Sequence, residues 1–538
     1  MTPISGDANP LQAVSDALRQ RDPRRAAAIA EAALKAGGRH PLLYTARAMW
    51  LSEQGHNHEA LTDFRTAEAM GPVNPALKNA IALCLMRLDR PADAAREYDV
   101  LLALTPNAAP VHFRKGWALE LAGDLNGARQ ALERAVACDP AFGEALARLA
   151  FLAARRAAYG EARAYAAKAL ALAPLPAAML ALAMAELDAG ALAEAGAHAR
   201  AVLEASQAGP TDRRMAAGLI GDICDRQDRC AEAFASYTEA NQIAQALVPR
   251  AAAALSMVDT VRALVRHFEA MAPRPHPPAG PKPARHIFVL GFLRSGTTLI
   301  QEVLAARNDT VVLDEKDALG DAVEAFMTDI SGLDRLWRAD EAVLAQYRHA
   351  YWERVKGFGL DVSNAVLVDK MPLATVRIPL IQRLFPDAAI VFAMRDPRDV
   401  VWSCFRQRFV MNAATAELLT LDGAARLYDE TMRLADLYRQ KLSPRLFELR
   451  LEDLIADFDG RTRALCEFAG LAWQPGMREF ADRSSDHGVT TPSALQVVRG
   501  LNRQGIGRWR RYAGPMAVVQ ERLAPWVKRF GYETDEQS

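Results

Sequence analysis

Two short runs of residues hold chemistry that packing alone does not explain. The first is Gly291-Phe292-Leu293-Arg294-Ser295-Gly296-Thr297-Thr298, set between the apolar run IFVLG (287–291) and the helix-like LIQEVLAAR. A glycine-containing turn from strand into helix aims several backbone N–H groups and the positive helix end at one point, which is how phosphate is held. The spacing matches the nucleotide loop GxxxxGK[ST], except that Thr297 stands in the lysine position. In a kinase or ATPase that lysine reaches the β- and γ-phosphates, and the hydroxyl after it holds magnesium. A hydroxyl in its place suits a donor with less charge to neutralise, and a sulfuryl group has fewer ionisable oxygens than a phosphoryl group. A tight turn with N-capping hydroxyls would account for the serine and threonines but leaves Arg294 unexplained.

The second run, Arg395-Asp396-Pro397-Arg398-Asp399-Val400-Val401-Trp402-Ser403, follows AIVFAM (389–394). An arginine at the carboxyl end of a parallel strand sits where open α/β sheets bind ligands, and it grips a phosphate through two parallel hydrogen bonds. Ser403, in a helix begun at Pro397, is placed to donate to the same group. Alone, this run reads equally well as an Arg–Asp ion pair at a strand-to-helix turn. Its weight comes from its order after the first run.

These residues need a sheet to position them. IFVLG, TVVLD (310–314), AVLVD (365–369), AIVFAM and LFELRL (446–451) are short apolar runs separated by helix-like stretches. That alternation predicts a parallel sheet covered by helices on both faces, an α/β domain of P-loop-like build over 286–538. The N-terminal half differs. It is alanine-rich and nearly without β-branched runs, which favours helix, and Pro72, Pro106, Pro140 and Pro174 recur every 34 residues, as do Ala60, Ala94, Ala128 and Ala162. In one copy, Phe113, Gly116 and Trp117 precede a turn with Gly123 and Gly127, then Ala128, Leu132 and Ala135, and Pro140 closes it. Small residues fall where two antiparallel helices approach, and proline ends the second. The unit resembles the tetratricopeptide repeat, and such pairs stack to bury their apolar faces, so an all-α superhelix is expected. Four regular copies cover 39–174, with irregular capping pairs over 8–38 and 175–247 and a further helix around 250–271. Prolines at 273, 275, 277, 278, 281 and 283 then set a semi-rigid spacer. The expected domains are a repeat array over 1–271, a linker over 272–285 and the α/β domain over 286–538.

A chain of 538 residues and 58.7 kDa exceeds one ordinary core. Its 65 basic and 65 acidic side chains cancel, which removes a whole-molecule field for nucleic acid or anionic lipid. No apolar run reaches membrane-spanning length. The six cysteines show neither CxxC pairing nor zinc-ligand spacing, and the start MTPISGDANPLQAV lacks the basic and apolar regions of a secretory signal. A cytoplasmic protein without nucleic-acid partner or membrane span is expected.

Strand-RSGTT-helix, followed about a hundred residues later by strand-RDPRDVVWS-helix, resembles the sulfotransferase family. Within it the likeness is to the tyrosylprotein sulfotransferase branch and bacterial relatives fused to tetratricopeptide repeats. The resemblance implies that Arg294, Ser295, Gly296, Thr297 and Thr298 hold the 5′-phosphosulfate of 3′-phosphoadenosine 5′-phosphosulfate, and that Arg395, Ser403 and Arg508 hold its 3′-phosphate. It assigns the general base to Glu315 in VVLDEKDAL and transition-state stabilisation to Arg294 and Lys370 in VLVDKMP, with Ser493 assisting. It matches Gln496, Val497, Asn502, Arg508 and Trp509 to a C-terminal segment at the nucleotide. Two positions depart from the family pattern: Leu451 stands where relatives carry a tyrosine near the base, and Gly500 where they commonly have proline.

The implied scheme needs no metal. Small-molecule sulfotransferases use a histidine base, whereas the histidine between the two loops here, His349, lies in the helical AQYRHAYWERV. A glutamate base and a repeat array lean towards a macromolecular acceptor with a free hydroxyl, a protein tyrosine or a glycan, with a protein or peptide partner on the repeats. Two other readings stay open, a P-loop-type kinase and a catalytically silent adaptor.

Overall fold

A computed structural model describes residues 9–72, 74–248, 256–274, 285–481, 501 and 503–532. The chain divides into two compact units, Met1–Ala191 and Leu192–Ser538.

The first unit is an array of antiparallel helix pairs, each packed on its sequence neighbours. The regular copies are Pro41–Glu53 with Asn57–Ala69, Pro75–Arg87 with Pro91–Leu104, Ala109–Leu121 with Leu125–Cys138, and Gly143–Arg155 with Tyr159–Leu170. The periodic alanines 60, 94, 128 and 162 are all fully buried. Gly116 shows why a small residue recurs at the crossing: a Cβ there would lie 2.8 Å from Leu132 Cγ. Each proline of the 34-residue series follows the end of a second helix, where its missing N–H costs no ladder bond.

The second unit is built on a five-stranded parallel sheet, β1 (His286–Gly291), β2 (Thr310–Asp314), β3 (Val366–Lys370), β4 (Ala389–Met394) and β5 (Leu446–Arg450), in the order β2-β3-β1-β4-β5. Strands β1, β3 and β4 are buried along their whole length, which is why they read as unbroken apolar runs. One apolar core forms on each side of the sheet: Phe288, Leu290 and Phe392 enter one, and Ile287, Val289 and Val391 the other. The order reverses beside β1, and the carboxyl ends on either side of that switch leave the crevice where ligands bind in such sheets.

The division between units falls well before the proline-rich segment, which lies mostly outside the described residues. Helices Pro210–Arg226, Cys230–Gln245 and Met257–Ala270, which the sequence reading placed in the array and its cap, belong by their contacts to the second unit. Their side chains show the reason. Phe234 stacks on Phe405 with ring centroids 5.4 Å apart, Tyr237 meets Trp402 edge-on at 5.9 Å, and Phe268 meets Tyr438 at 4.8 Å. Among the described residues no helix is long and apolar enough to cross a membrane.

Candidate active site

The loop from β1 into the helix Thr297–Ala305 forms as its residue types require. Gly291, at φ +151°, lies so close to β4 that a Cβ would come 2.6 Å from the Ala393 carbonyl oxygen. Thr375 pins the same residue, its hydroxyl accepting from Gly291 N at 3.2 Å and donating to Gly291 O at 2.7 Å. Gly296 caps the helix at φ +99°, with Leu451 against it. The first N–H groups of that helix have no intrahelical acceptors and point into the loop. Ser295, Thr297 and Thr298 are buried around them.

Arg294 has φ +67°, a left-handed conformation uncommon outside glycine and concentrated at functional sites. Its buried guanidinium donates through Nε to Ser403 Oγ at 3.0 Å, and its carbonyl accepts from Arg395 Nη1 at 3.1 Å. Arg395 also donates to the Gly505 carbonyl, and its buried Nε has no hydrogen-bond partner. The two loops expected to hold the two ends of one ligand therefore meet at these three side chains. Burial, then the neighbouring charges of Arg395 and Arg406, push the Arg294 guanidinium down to about 10.

Glu315 and Lys370 meet at the ends of β2 and β3. Lys370, fully buried, places Nζ 2.5 Å from Glu315 Oε1 and 2.5 Å from Asp314 Oδ1. Glu315 N–H donates to Lys370 O at 2.9 Å, which extends the ladder by one residue. Glu315 then turns to φ +50°, sending its carboxylate, 40% exposed, out of the sheet. Arg294 follows β1, and the Glu315–Lys370 pair stands at the carboxyl ends of β2 and β3, the same edge of the sheet. Asp314, absent from the sequence reading, is a second anchor for the lysine.

Arg508 and Trp509 are each held by an aspartate. Arg508 pairs with the carboxylate of Asp225. Trp509 is 2% exposed, its N–H donates to Asp399 Oδ1 at 3.0 Å, and the Arg398 guanidinium lies 4.1 Å over its ring. Arg398 is in turn held two-pronged by Asp396 at 3.0 and 2.8 Å. The second run thus has two duties: Arg395 and Ser403 face the crevice, while Asp396, Arg398 and Asp399 fasten the C-terminal segment. Burial pushes the Asp399 carboxyl up, opposed by Arg395 and the two backbone N–H groups it accepts. Ser493, with Gln496, Val497, Gly500 and Asn502, lies outside the described residues. His349 is exposed on the helix Glu341–Gly357.

Residues 286–475 match the model of the sulfotransferase family, and residues 45–109 that of the tetratricopeptide repeat. The chain is similar to an uncharacterized protein of Aquifex aeolicus, 26% identical over 255 residues, 46% of this chain and 33% of that protein. It is similar to the omega-hydroxy-beta-dihydromenaquinone-9 sulfotransferase of Mycobacterium tuberculosis, 26% identical over 30% of this chain and 40% of that one. It is also similar to protein-tyrosine sulfotransferase 1 of Danio rerio, 23% identical over 46% of this chain and 72% of that one. The chain therefore spans 33% and 40% of the first two relatives. Among solved structures it resembles the sulfotransferase domain of the Synechococcus PCC 7002 olefin synthase (22% identity, 48% of this chain, 100% of that one, TM-score 0.35). A tetratricopeptide repeat protein from Parabacteroides merdae matches at 19% identity over 44% of this chain and 91% of that one, with a TM-score of 0.37.

Proposed function

We propose that this sulfotransferase domain moves a sulfuryl group from 3′-phosphoadenosine 5′-phosphosulfate to a hydroxyl of a macromolecular acceptor, with Glu315 as general base. The observation that supports it best is the meeting of the two loops. Arg294 and Arg395 are buried side by side, with Arg294 Nε on Ser403 Oγ and Arg395 on the Arg294 and Gly505 carbonyls. Two guanidiniums so close repel each other, and an anion bound between the loops relieves that repulsion. A bisphosphorylated ligand fits that demand, with Ser295, Gly296, Thr297 and Thr298 on its 5′ end and Arg395, Ser403 and Arg508 on its 3′ end. Thr297 in place of a lysine disfavours a nucleotide triphosphate with magnesium.

The donor supplies an activated sulfur–oxygen bond to its 5′-phosphate. Glu315, exposed towards the crevice, accepts the acceptor's proton as the acceptor oxygen bonds to sulfur and the 5′-phosphate leaves. Lys370 and Arg294 stabilise charge gathering on the sulfuryl and departing oxygens. Asp314 gives this scheme its stability through the reaction: once Glu315 is protonated its hold on Lys370 weakens, and Asp314 keeps the ammonium in place. The acceptor reading rests on the repeat array, an architecture that generally mediates protein contacts, and on the similarity to a protein-tyrosine sulfotransferase.

Radiolabelled sulfate supplied as the donor to a host lysate tests the reading. Wild type labels an acceptor, and Glu315→Gln lowers the rate by about 100-fold or more while binding of adenosine 3′,5′-bisphosphate persists. Equal labelling by both proteins overturns the assigned base. Magnesium-dependent turnover of ATP, with no sulfate transferred, favours the kinase reading instead. Bisphosphate binding without any transfer, alongside tight peptide binding, favours the silent adaptor.

A further inference from the structure

Asp225 is 1% exposed, on the helix Pro210–Arg226 some sixty residues before β1. A lone carboxylate so deep is costly unless paired. It is paired many times over, and all its partners come from distant parts of the second unit. Arg406 Nη1 lies 3.3 Å from Oδ2, Arg511 Nη1 2.9 Å from Oδ1, and the Tyr512 hydroxyl donates to Oδ1 at 2.7 Å. Arg508 closes on Oδ2, and the Asp225 carbonyl accepts from Arg511 Nη2 at 2.7 Å.

Those partners belong to two segments that bear on the donor site. Arg406 caps the helix Pro397–Phe405, which carries Ser403. Residues 505–512 form a strap whose Gly505 carbonyl accepts from Arg395, and whose Gly507 and Trp509 N–H groups donate to Asp399 at 2.6 and 3.0 Å. The strap is fastened on one side by Asp399 and on the other by Asp225. Arg508 lies between the two, and its own Nε is buried without a hydrogen-bond partner.

We propose that Asp225 is a positioning residue for the donor site, holding Arg508 and the 505–512 strap so that Arg508 and Arg395 present a fixed pair of cations to the donor's 3′-phosphate. The inference rests on the donor reading above and goes beyond it, because it makes a helix outside the matched family region a working part of that site. Asp225 acts through Arg508. Losing its charge leaves three arginines less compensated and lets the strap drift, so the ligand must spend binding energy re-ordering it.

Titration calorimetry with adenosine 3′,5′-bisphosphate on the full chain tests this. Asp225→Asn is expected to raise Kd about tenfold, and kcat at saturating donor is expected to stay within about twofold of wild type, because Glu315 and Lys370 are untouched. Arg508→Gln alone gives a similar rise. The double variant is expected to bind no worse than the weaker single one, since two residues acting through one contact are not additive. Tyr512→Phe, which keeps the ring stacked 3.7 Å from Trp402 and loses one hydrogen bond to Asp225, gives a smaller rise of about threefold and serves if Asp225→Asn fails to fold. Wild-type Kd in both Asp225→Asn and Tyr512→Phe, or additive losses in the double variant, overturns the proposal even if transfer is intact. A wild type that binds no bisphosphate overturns the donor reading itself, and this inference with it.

Discussion

At the scale of single residues, β3 ends in two adjacent ionisable groups with opposite duties. Lys370 is paired with Glu315 and Asp314. Asp369, one residue earlier and so on the other face, is buried, with Tyr351 Oη 2.8 Å from its Oδ2 and His286 Nε2 2.8 Å from the same phenol oxygen. Burial pushes the Asp369 carboxyl up to about 7 and the His286 imidazole down to about 3. The signs oppose each other. Asp369 alone favours the fold at low pH and loses that contribution as pH rises from its unfolded value towards 7, whereas His286 alone favours the fold increasingly as pH rises towards its unfolded value. Between about pH 4 and about pH 6.5 the pair holds one proton in the fold, on Asp369, and one in the unfolded chain, on His286. Its net slope there is near zero. Asp369→Asn leaves only the histidine, so stability should rise with pH through that window by about 1.4 kcal/mol per unit relative to wild type. Urea denaturation between about pH 4.5 and about pH 6.5 reads this directly, and parallel pH curves for the two proteins would show that Asp369 is ionised in the fold.

At the scale of elements, the strand-loop-helix unit around Gly296 sets the donor geometry. Its φ of +99° disfavours any side chain, and a Cβ would press on Leu451 Cδ1 at 3.0 Å. Gly296→Ala is expected to cost about 1–3 kcal/mol of stability and to raise the Kd for the bisphosphate at least tenfold, because the strained loop tilts the helix N–H groups off their target. Adding Leu451→Ala removes the contact and leaves the backbone strain, so it should restore little; full recovery in the double variant would show that crowding, rather than φ, was the cause. This unit was legible in the sequence because each requirement is local. Glycine marks positive φ, and an unbroken apolar run marks a strand buried on both faces. Glu315 and Lys370 were placed by family likeness, and the structure adds what likeness lacked, the turn at Glu315 and the second anchor Asp314. Arg508 and Trp509 are another matter. Their partners Asp225 and Asp399 lie 283 and 110 positions away, and no spacing rule reaches that far. An aspartate on an apolar helix face, as in GLIGDICD, was the available signal that a buried cation must answer it.

At the scale of the whole chain, the proline-rich stretch marks a break in secondary structure, but the core it divides is set by side chains on both flanks. A spacer composition shows that a segment cannot be helix or central strand; it does not show which core the preceding helix joins. Met257–Ala270 precedes the prolines and packs on the helix Leu421–Leu442 through Phe268 and Tyr438. The two helices before it cover Trp402 and Phe405 and supply Asp225. A fragment beginning at residue 286 loses four aromatic pairs, Phe234 with Trp402 and Phe405, Tyr237 with Trp402 and Phe268 with Tyr438, each worth about 0.5–1.5 kcal/mol beyond area burial, and leaves Arg406, Arg508 and Arg511 without their shared carboxylate, a loss of about 3–5 kcal/mol. Against a typical total stability of about 5–15 kcal/mol, that sum is enough to unfold it. A fragment beginning at residue 192 keeps every one of these contacts. The longer fragment should therefore unfold in one cooperative transition and bind the bisphosphate, whereas the shorter one should show no cooperative transition in thermal denaturation followed by circular dichroism. Equal midpoints for the two would mean that the matched sulfotransferase region stabilises itself, and that helices Pro210–Arg226 and Cys230–Gln245 rest on it without holding it together.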